Sequence, residues 1–206
     1  MRVRFGATQR PQEERAKEMA PKKIMVIRHG EKEKDFPGDP NIDRNGKPDD
    51  ASLNTQGWRR AQALVGFFVD ADAPGIAKPD WIFAAAPSAD SLRPMETVTP
   101  LAEALWENGD ERGRHFNSEI AVDNLQELVN AVMQADGACL VCWEHHHIPN
   151  IAQLIPHVPV SPGHWPGHRF DMVWIFDPHP NAWAFSQTPE NLLPGDKDKP
   201  IKDTDG

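Results

Sequence analysis

Arginine and histidine side chains follow three apolar segments of this 206-residue chain. Arg28 and His29 come directly after the apolar run 24–27, Arg93 follows a second run through a short turn, and His145 follows a third. A buried cation is costly unless an anion meets it, so apolar runs that end in such residues favour anion binding. Two guanidinium groups can hold several phosphoryl oxygens in fixed geometry, and a neutral imidazole offers a nucleophilic nitrogen. These residue types predict a site for a phosphoryl group.

The elements that must position these residues alternate between two patterns. Continuous apolar runs predict strands buried on both faces, and between them apolar residues recur at helical spacing, as they do after Asn54. The predicted strands are 23–29, 80–87, 138–143, 169–177 and 182–187. This alternation predicts an α/β fold, a three-layer sandwich with a mostly parallel central sheet and helices on both faces. The last two strands, joined by the turn "PHPN", predict a hairpin at one edge.

Ligands of such sheets bind outside the carboxyl ends of the strands, so the three segments are expected to meet there. Pro94 and Pro149 suit the first turn of a helix. They therefore place helix N-termini beside Arg93 and beside the histidines 145–147. The unpaired N–H groups and the positive dipole end of a helix N-terminus favour an anion.

Length and composition bound the remaining possibilities. We predict a single catalytic domain over residues 23–193, with a flexible arm at 1–22 and a flexible tail at 194–206. The formal net charge of −9 argues against nucleic acid or an anionic membrane as a partner. The N-terminal segment has no apolar stretch typical of a secretory signal, and no apolar run approaches membrane-spanning length, so we expect a cytoplasmic protein. Cys139 and Cys142 lie three apart in a predicted strand and are expected to be buried on opposite faces, rather than to form a redox or metal pair.

Four motifs resemble, in order and spacing, those of the histidine phosphatase superfamily, and its phosphoglycerate-mutase-like branch most closely. They are "IRHGE" at 27–31, "LNTQG" at 53–57, "SLRPMET" at 91–97 and "LVCWEH" at 140–145. The resemblance extends from about Lys23 to the end of the last predicted strand. It implies a phosphoglycerate-mutase-like α/β sandwich.

The resemblance also implies catalytic roles. His29 would be the nucleophile that is transiently phosphorylated, Arg28 and Arg93 would hold the phosphoryl group, and His145 would contact its oxygens. Nearby cations would lower the pKa of His29 and keep it neutral, and they would stabilise the phosphoryl group in flight, so that no metal or other cofactor is required. Water would then hydrolyse the phosphohistidine. The implied activity is a metal-independent phosphatase.

A general acid is needed for the leaving oxygen, and the sequence offers several carboxyl groups. In the family branch a glutamate some distance after the second arginine has this role, and Glu119 stands at a similar distance. Glu31, Glu144 and an aspartate of the long loop 31–52 are alternatives. His146 and His147 replace residues that are often small in the branch, and we expect them to contact the substrate.

Two other functions remain open. The histidines 145–147, with His157, His164 and His168, could supply a zinc site for a metal-dependent hydrolase. The pocket could also belong to a protein that binds a phosphorylated ligand without a competent acid. A phosphomutase is less favoured, because nothing marks a second hold on the substrate. We expect the substrate to be a small-molecule phosphate ester or a phosphoprotein.

Overall fold

This computed structural model describes residues 20–107, 109–158 and 160–204. The predicted N-terminal arm lies outside these ranges except for its last three residues, and Pro21 already begins the first strand. None of the helices in the described ranges combines the length and the apolarity that a bilayer-spanning helix needs.

A six-stranded sheet forms the centre of the domain. Its strands are β1 Pro21–Arg28, β2 Trp81–Ala84, β3 Phe116–Asn117, β4 Gly137–Trp143, β5 Met172–His179 and β6 Ala182–Pro189. The order across the sheet is β3-β2-β4-β1-β5-β6, and the first four strands pair in parallel. β5 runs antiparallel to β1 and forms a hairpin with β6. The prediction of a mostly parallel sheet with a hairpin at one edge is confirmed.

Helices cover both faces of this sheet. They are α1 Thr55–Asp70, α2 Arg93–Leu105, α3 Gly109–His115, α4 Leu125–Gln134 and α5 Ile148–Leu154. The buried residues of α1 and α2 join one core with Met25 and Ile27, and those of α4 and α5 join the opposite core with Ile24 and Val26. Alternate side chains of a strand point to opposite faces, so one apolar run serves both cores. The predicted three-layer α/β sandwich is therefore confirmed.

The two cysteines lie as the strand periodicity predicts. Cys139 belongs to the core under α4 and α5, and Cys142 belongs to the core under α1 and α2. Both are buried free thiols, and burial raises the pKa of Cys139 to about 12. A buried protonated thiol behaves as a small apolar residue.

The C-terminal segment departs from the prediction of a flexible tail at 194–206. Ile201 is 2% exposed, and its backbone N–H and C=O both bond the side chain of Gln187 at 2.9 Å. Asp196 forms a buried ion pair with Arg60 at 2.7 Å. The packed domain thus extends beyond the predicted boundary at 193, because Asp196 pairs with α1 and the isolated apolar residue Ile201 is held against β6.

Candidate active site

The end of β1 and the turn after it are fixed by backbone contacts. Arg28 pairs with Trp143 of β4, and the N–H of His29 donates to the Trp143 carbonyl at 3.1 Å. The N–H of Gly30 donates to Oγ1 of Thr97 in α2 at 2.8 Å. β1 and β4 therefore end at the same edge, where α2 also begins.

The "LNTQG" motif packs the start of α1 against this turn. Asn54 caps α1 by accepting a hydrogen bond from the N–H of Gly57 at 2.8 Å, and its own N–H donates to the carbonyl of Glu31 at 3.1 Å. A Cβ atom at Gly57 would lie 2.5 Å from that carbonyl oxygen. Only glycine allows the helix to approach the backbone so closely.

His29 is buried and its imidazole is neutral. The residue is only 2% exposed, and its Nδ1 is 2.7 Å from the carbonyl oxygen of Gly30. Because a carbonyl can only accept, Nδ1 carries the proton and Nε2 keeps its lone pair. Burial, followed by the charges of Arg28, Lys32 and Arg93, holds the pKa of His29 well below its usual range. The imidazole is therefore uncharged at neutral pH.

Arg28 lies beside it and is 1% exposed. Its Nη1 donates to the carbonyls of Gly167 and Arg169, the latter at 3.3 Å, and its Cζ lies 3.6 Å from the centre of the Phe170 ring. Oδ2 of Asp35 is 3.5 Å from Nη2. Burial lowers the pKa of Arg28 to about 10, which leaves the guanidinium charged at neutral pH. Arg28 is thus a buried cation in contact with an anion and an aromatic face.

Arg93 reaches the site from the first turn of α2, with Pro94 next to it as predicted. Its guanidinium donates to the backbone carbonyls of Asp50 and Ser52, the latter at 3.0 Å. It makes no hydrogen bond to Glu96, whose carboxylate instead accepts from Oγ of Ser52 at 2.8 Å. Its charge is one of those that lower the pKa of His29, after burial and the charges of Arg28 and Lys32.

His145 follows β4 and is 8% exposed. Oε1 of Glu144 lies 2.6 Å from its Nδ1. A methyl group at Gly167 would be 3.5 Å from its Nε2, and the Gly167 carbonyl accepts from Arg28. Burial lowers the pKa of His145 and the charge of Arg28 adds to this, while Glu144 opposes it. The structure thus brings Arg28, His29 and His145 to one edge with Arg93, and their catalytic roles stay predictions.

His146 and His147 lie at the rim of this arrangement. The side chain of His146 is 65% exposed, and its ring centre is 3.8 Å from that of His145. Nε2 of His147 is 3.3 Å from Oδ1 of Asp123. Their predicted contact with a substrate stays a prediction.

The candidate general acids differ in position. Glu119 is exposed and lines a cavity of about 320 Å³ with Trp81 and Phe83 along the β3 edge. It follows the strand Phe116–Asn117, and no contact between it and the other site residues is found in the described ranges. The structure gives its predicted role no support. Glu31 is committed to Arg60, with Oε1 2.8 Å from Nη2.

Glu144 is also unsuited to donate a proton. Burial alone would raise its pKa, but the hydrogen bonds and charges of His145 and His146 outweigh this and lower the pKa to about 2. These three side chains form the group suited to a metal ion, with ligand atoms within 4.8 Å of one another. In the described ranges, the other histidines predicted as zinc ligands, namely His147, His157, His164 and His168, do not join this group.

Solved structures match this chain, whereas family models and curated proteins do not. Forty-one chains of solved structures match it. One is the product of open reading frame Rv3214 of Mycobacterium tuberculosis, with 12% identity, a TM-score of 0.43, and coverage of 80% of this chain and 95% of that one.

Another is an Escherichia coli protein provisionally assigned as an alpha-ribazole-5'-P phosphatase. Its identity is 13%, its TM-score is 0.44, and 80% of this chain and 94% of that one are covered. The function proposed for this chain depends on its motifs and on the geometry of the site.

Sequence reasoning missed three groups at this site. Lys32 lies three residues after His29, and its type and position could have marked it as a further cation. Asp35 was included only as one of several loop aspartates. Phe170 and its neighbours come from the segment before β5, and no local pattern connects that segment to Arg28.

Proposed function

We propose that this chain is a histidine phosphatase that hydrolyses a phosphomonoester through a phosphohistidine at His29, without a metal. The observation that carries the proposal is the state of His29. Its Nδ1 donates to the carbonyl oxygen of Gly30, which leaves the lone pair on Nε2, and burial together with the charges of Arg28 and Arg93 lowers its pKa. A neutral imidazole next to fixed cations is suited to attack a phosphoryl group and to stabilise the charge that is transferred.

Access to the nucleophile requires a local movement. Phe170 is 3% exposed, contacts Arg28 through its ring face and lies 6.5 Å from the His29 ring. Gly167 and Arg169 occupy donors of Arg28 that a phosphoryl group would use. A substrate therefore reaches His29 once the segment that carries Gly167 and Phe170 moves aside.

Turnover of a panel of phosphate esters, with and without EDTA, tests the proposal. We expect the wild type to release inorganic phosphate equally in both conditions and His29→Asn to release none while keeping its fold. An active His29→Asn variant would show that the nucleophile is elsewhere.

A metal-dependent hydrolase is the second candidate, and the convergence of Glu144, His145 and His146 favours it. EDTA would then abolish turnover, and zinc would restore it. A third outcome, binding of phosphate esters with no turnover and no phosphorylated His29, would identify a binding protein.

The finer assignments are part of the same proposal. We take the substrate to be a small-molecule phosphate ester or a phosphoprotein, and we assign no nucleic-acid or membrane partner, because the chain carries a net charge of −9. A cytoplasmic location suits the two free buried thiols, which require no oxidising compartment.

A further inference from the structure

Asp35 brings a carboxylate into the cationic side of the site. It ends the 3₁₀ helix Glu33–Asp35, and its Oδ2 lies 3.5 Å from Nη2 of Arg28. That oxygen is buried and has no hydrogen bond among the described residues, while the side chain as a whole is 23% exposed. Leaving a buried carboxylate oxygen without a hydrogen bond costs free energy. The arrangement therefore points to a role beyond packing.

The charge of Asp35 acts on the three cations around His29. Burial lowers the pKa of Arg28 and of Lys32, and the Asp35 carboxylate is the strongest charge that opposes this in both. Burial also lowers the pKa of Arg93, and Asp35 is among the charges that oppose it there. The carboxylate thus lies where a phosphoryl group would meet these cations.

Other carboxylates near the site are held by other partners. Glu31 is ion-paired with Arg60, and Glu96 accepts hydrogen bonds from loop residues that precede α1. Glu144 contacts the two histidines that follow it. Unlike these three, Asp35 has a buried carboxylate oxygen with no hydrogen bond among the described residues, so it can change partner when a substrate binds.

We propose that Asp35 is the general acid and base of this phosphatase, an assignment that rests on the proposed function of His29. In the substrate-free protein its carboxylate pairs with Arg28. A bound phosphoryl group pairs with Arg28 in place of Asp35, and the released carboxyl group then exchanges a proton with the leaving oxygen and with water.

The two chemical steps balance through this one proton. In the first, Nε2 of His29 bonds to phosphorus, the bond from phosphorus to the ester oxygen breaks, and that oxygen takes the proton of Asp35. In the second, a water oxygen bonds to phosphorus, the bond to Nε2 breaks, and Asp35 accepts a proton from the water. Asp35 takes up the transferred proton from water when the substrate displaces it from Arg28 and returns it when phosphate leaves, so the products are the alcohol and inorganic phosphate.

The dependence of rate on the leaving group tests this role. Wild type and Asp35→Asn are compared on aryl phosphates from dinitrophenyl to phenyl phosphate and on an alkyl phosphate. A dinitrophenolate leaves without a proton, so we expect that rate to change by only a few-fold. On the alkyl ester we expect kcat to fall roughly 10²- to 10⁴-fold, the usual contribution of a general acid.

Glu33→Gln is the matched control, because Glu33 is an exposed carboxylate in the same short helix. It should keep the wild-type dependence on the leaving group. Asp35→Ala is measured in parallel, and circular dichroism checks that both Asp35 variants are folded. An equal loss of kcat on all esters would overturn the assignment, because it would indicate a structural role for Asp35. A gain of kcat on all esters would also overturn it, because it would indicate that Asp35 only blocks the site. A steep dependence in Glu119→Gln and not in Asp35→Asn would move the role to Glu119.

Failure of the proposed function gives a different result. If wild type hydrolyses none of the esters, the function proposed for His29 is wrong, and the role of Asp35 falls with it. If wild type is active, His29→Asn is inactive and Asp35→Asn keeps the wild-type rate on the alkyl ester, only the role of Asp35 is wrong.

Discussion

Replacement of Arg60 by methionine should destabilise the fold strongly. Arg60 is 1% exposed in α1 and holds three carboxylates that come from distant parts of the chain. Its Nη2 lies 2.8 Å from Glu31 and 2.7 Å from Asp196, and its Nη1 lies 2.7 Å from Glu190. Removing one partner of a buried ion pair costs about 3–5 kcal/mol, because the other charge stays buried and unpaired. Methionine fills most of the volume of the arginine side chain, so the loss of stability measures the missing charge rather than a cavity.

Urea unfolding followed by tryptophan fluorescence measures the effect. Arg44→Met is the matched control, since Arg44 forms a bidentate pair with Glu103 at 2.7 Å but is 57% exposed. Such surface pairs contribute about 0–1 kcal/mol. The deficit of Arg60→Met should shrink as the pH falls, because carboxylates that have lost Arg60 are less costly to bury once they are protonated. A loss no larger than that of Arg44→Met, or one that is independent of pH, would refute this reasoning.

Three further outcomes are expected. Gly57→Ala should lower turnover and should lower the free energy of unfolding by about 1–3 kcal/mol, because the new Cβ would lie 2.5 Å from the carbonyl oxygen of Glu31. A variant as stable and active as wild type would contradict this. Burial raises the pKa of Glu190 from 4.5 to about 8. The folded chain therefore binds the Glu190 proton more tightly than the unfolded chain, and the free energy of unfolding should fall as pH rises from about 4.5 to 8. Urea titrations of Glu190→Gln should show a weaker dependence of this free energy on pH. Arg93→Lys should lower kcat/KM for an aryl phosphate roughly 100-fold, since lysine cannot form the two parallel hydrogen bonds of a guanidinium group. An unchanged kcat/KM in steady-state kinetics would show that Arg93 does not bind the substrate.

The parts of the fold that the sequence predicts are those governed by local periodicity. Buried runs located β1, β2, β4 and the edge hairpin, and Asn54 marked the start of α1. The same logic placed Arg28, His29 and His145 at the ends of adjacent strands, because parallel strands share one carboxyl edge. Strand alternation also separated Cys139 from Cys142.

The parts that it does not predict depend on contacts between distant segments. Arg60 lies on the buried stripe of α1, but nothing local shows that Glu190 and Asp196 would meet it. The charged C-terminal segment therefore looks solvated in the sequence, although it is tied down. The closure of the site by Phe170 arises in the same way, because the segment before β5 folds over Arg28.

The proposed general acid is the element of the site that the sequence predicts least well. Spacing after Arg93 favoured Glu119, yet the loop after β3 carries that side chain to an exposed edge. Asp35 lies in a short 3₁₀ helix that has no apolar periodicity, and only its contact with Arg28 distinguishes it from the other aspartates of the loop.

Mapping of the phosphorylated residue during turnover tests the central claim most directly. The protein is mixed with a reactive aryl phosphate, quenched in alkali within one turnover, and digested for mass spectrometry, since phosphohistidine survives alkali. We expect one phosphoryl group on His29 of the wild type and none in His29→Asn. Turnover with an unmodified His29, or with the phosphoryl group on another residue, would contradict it.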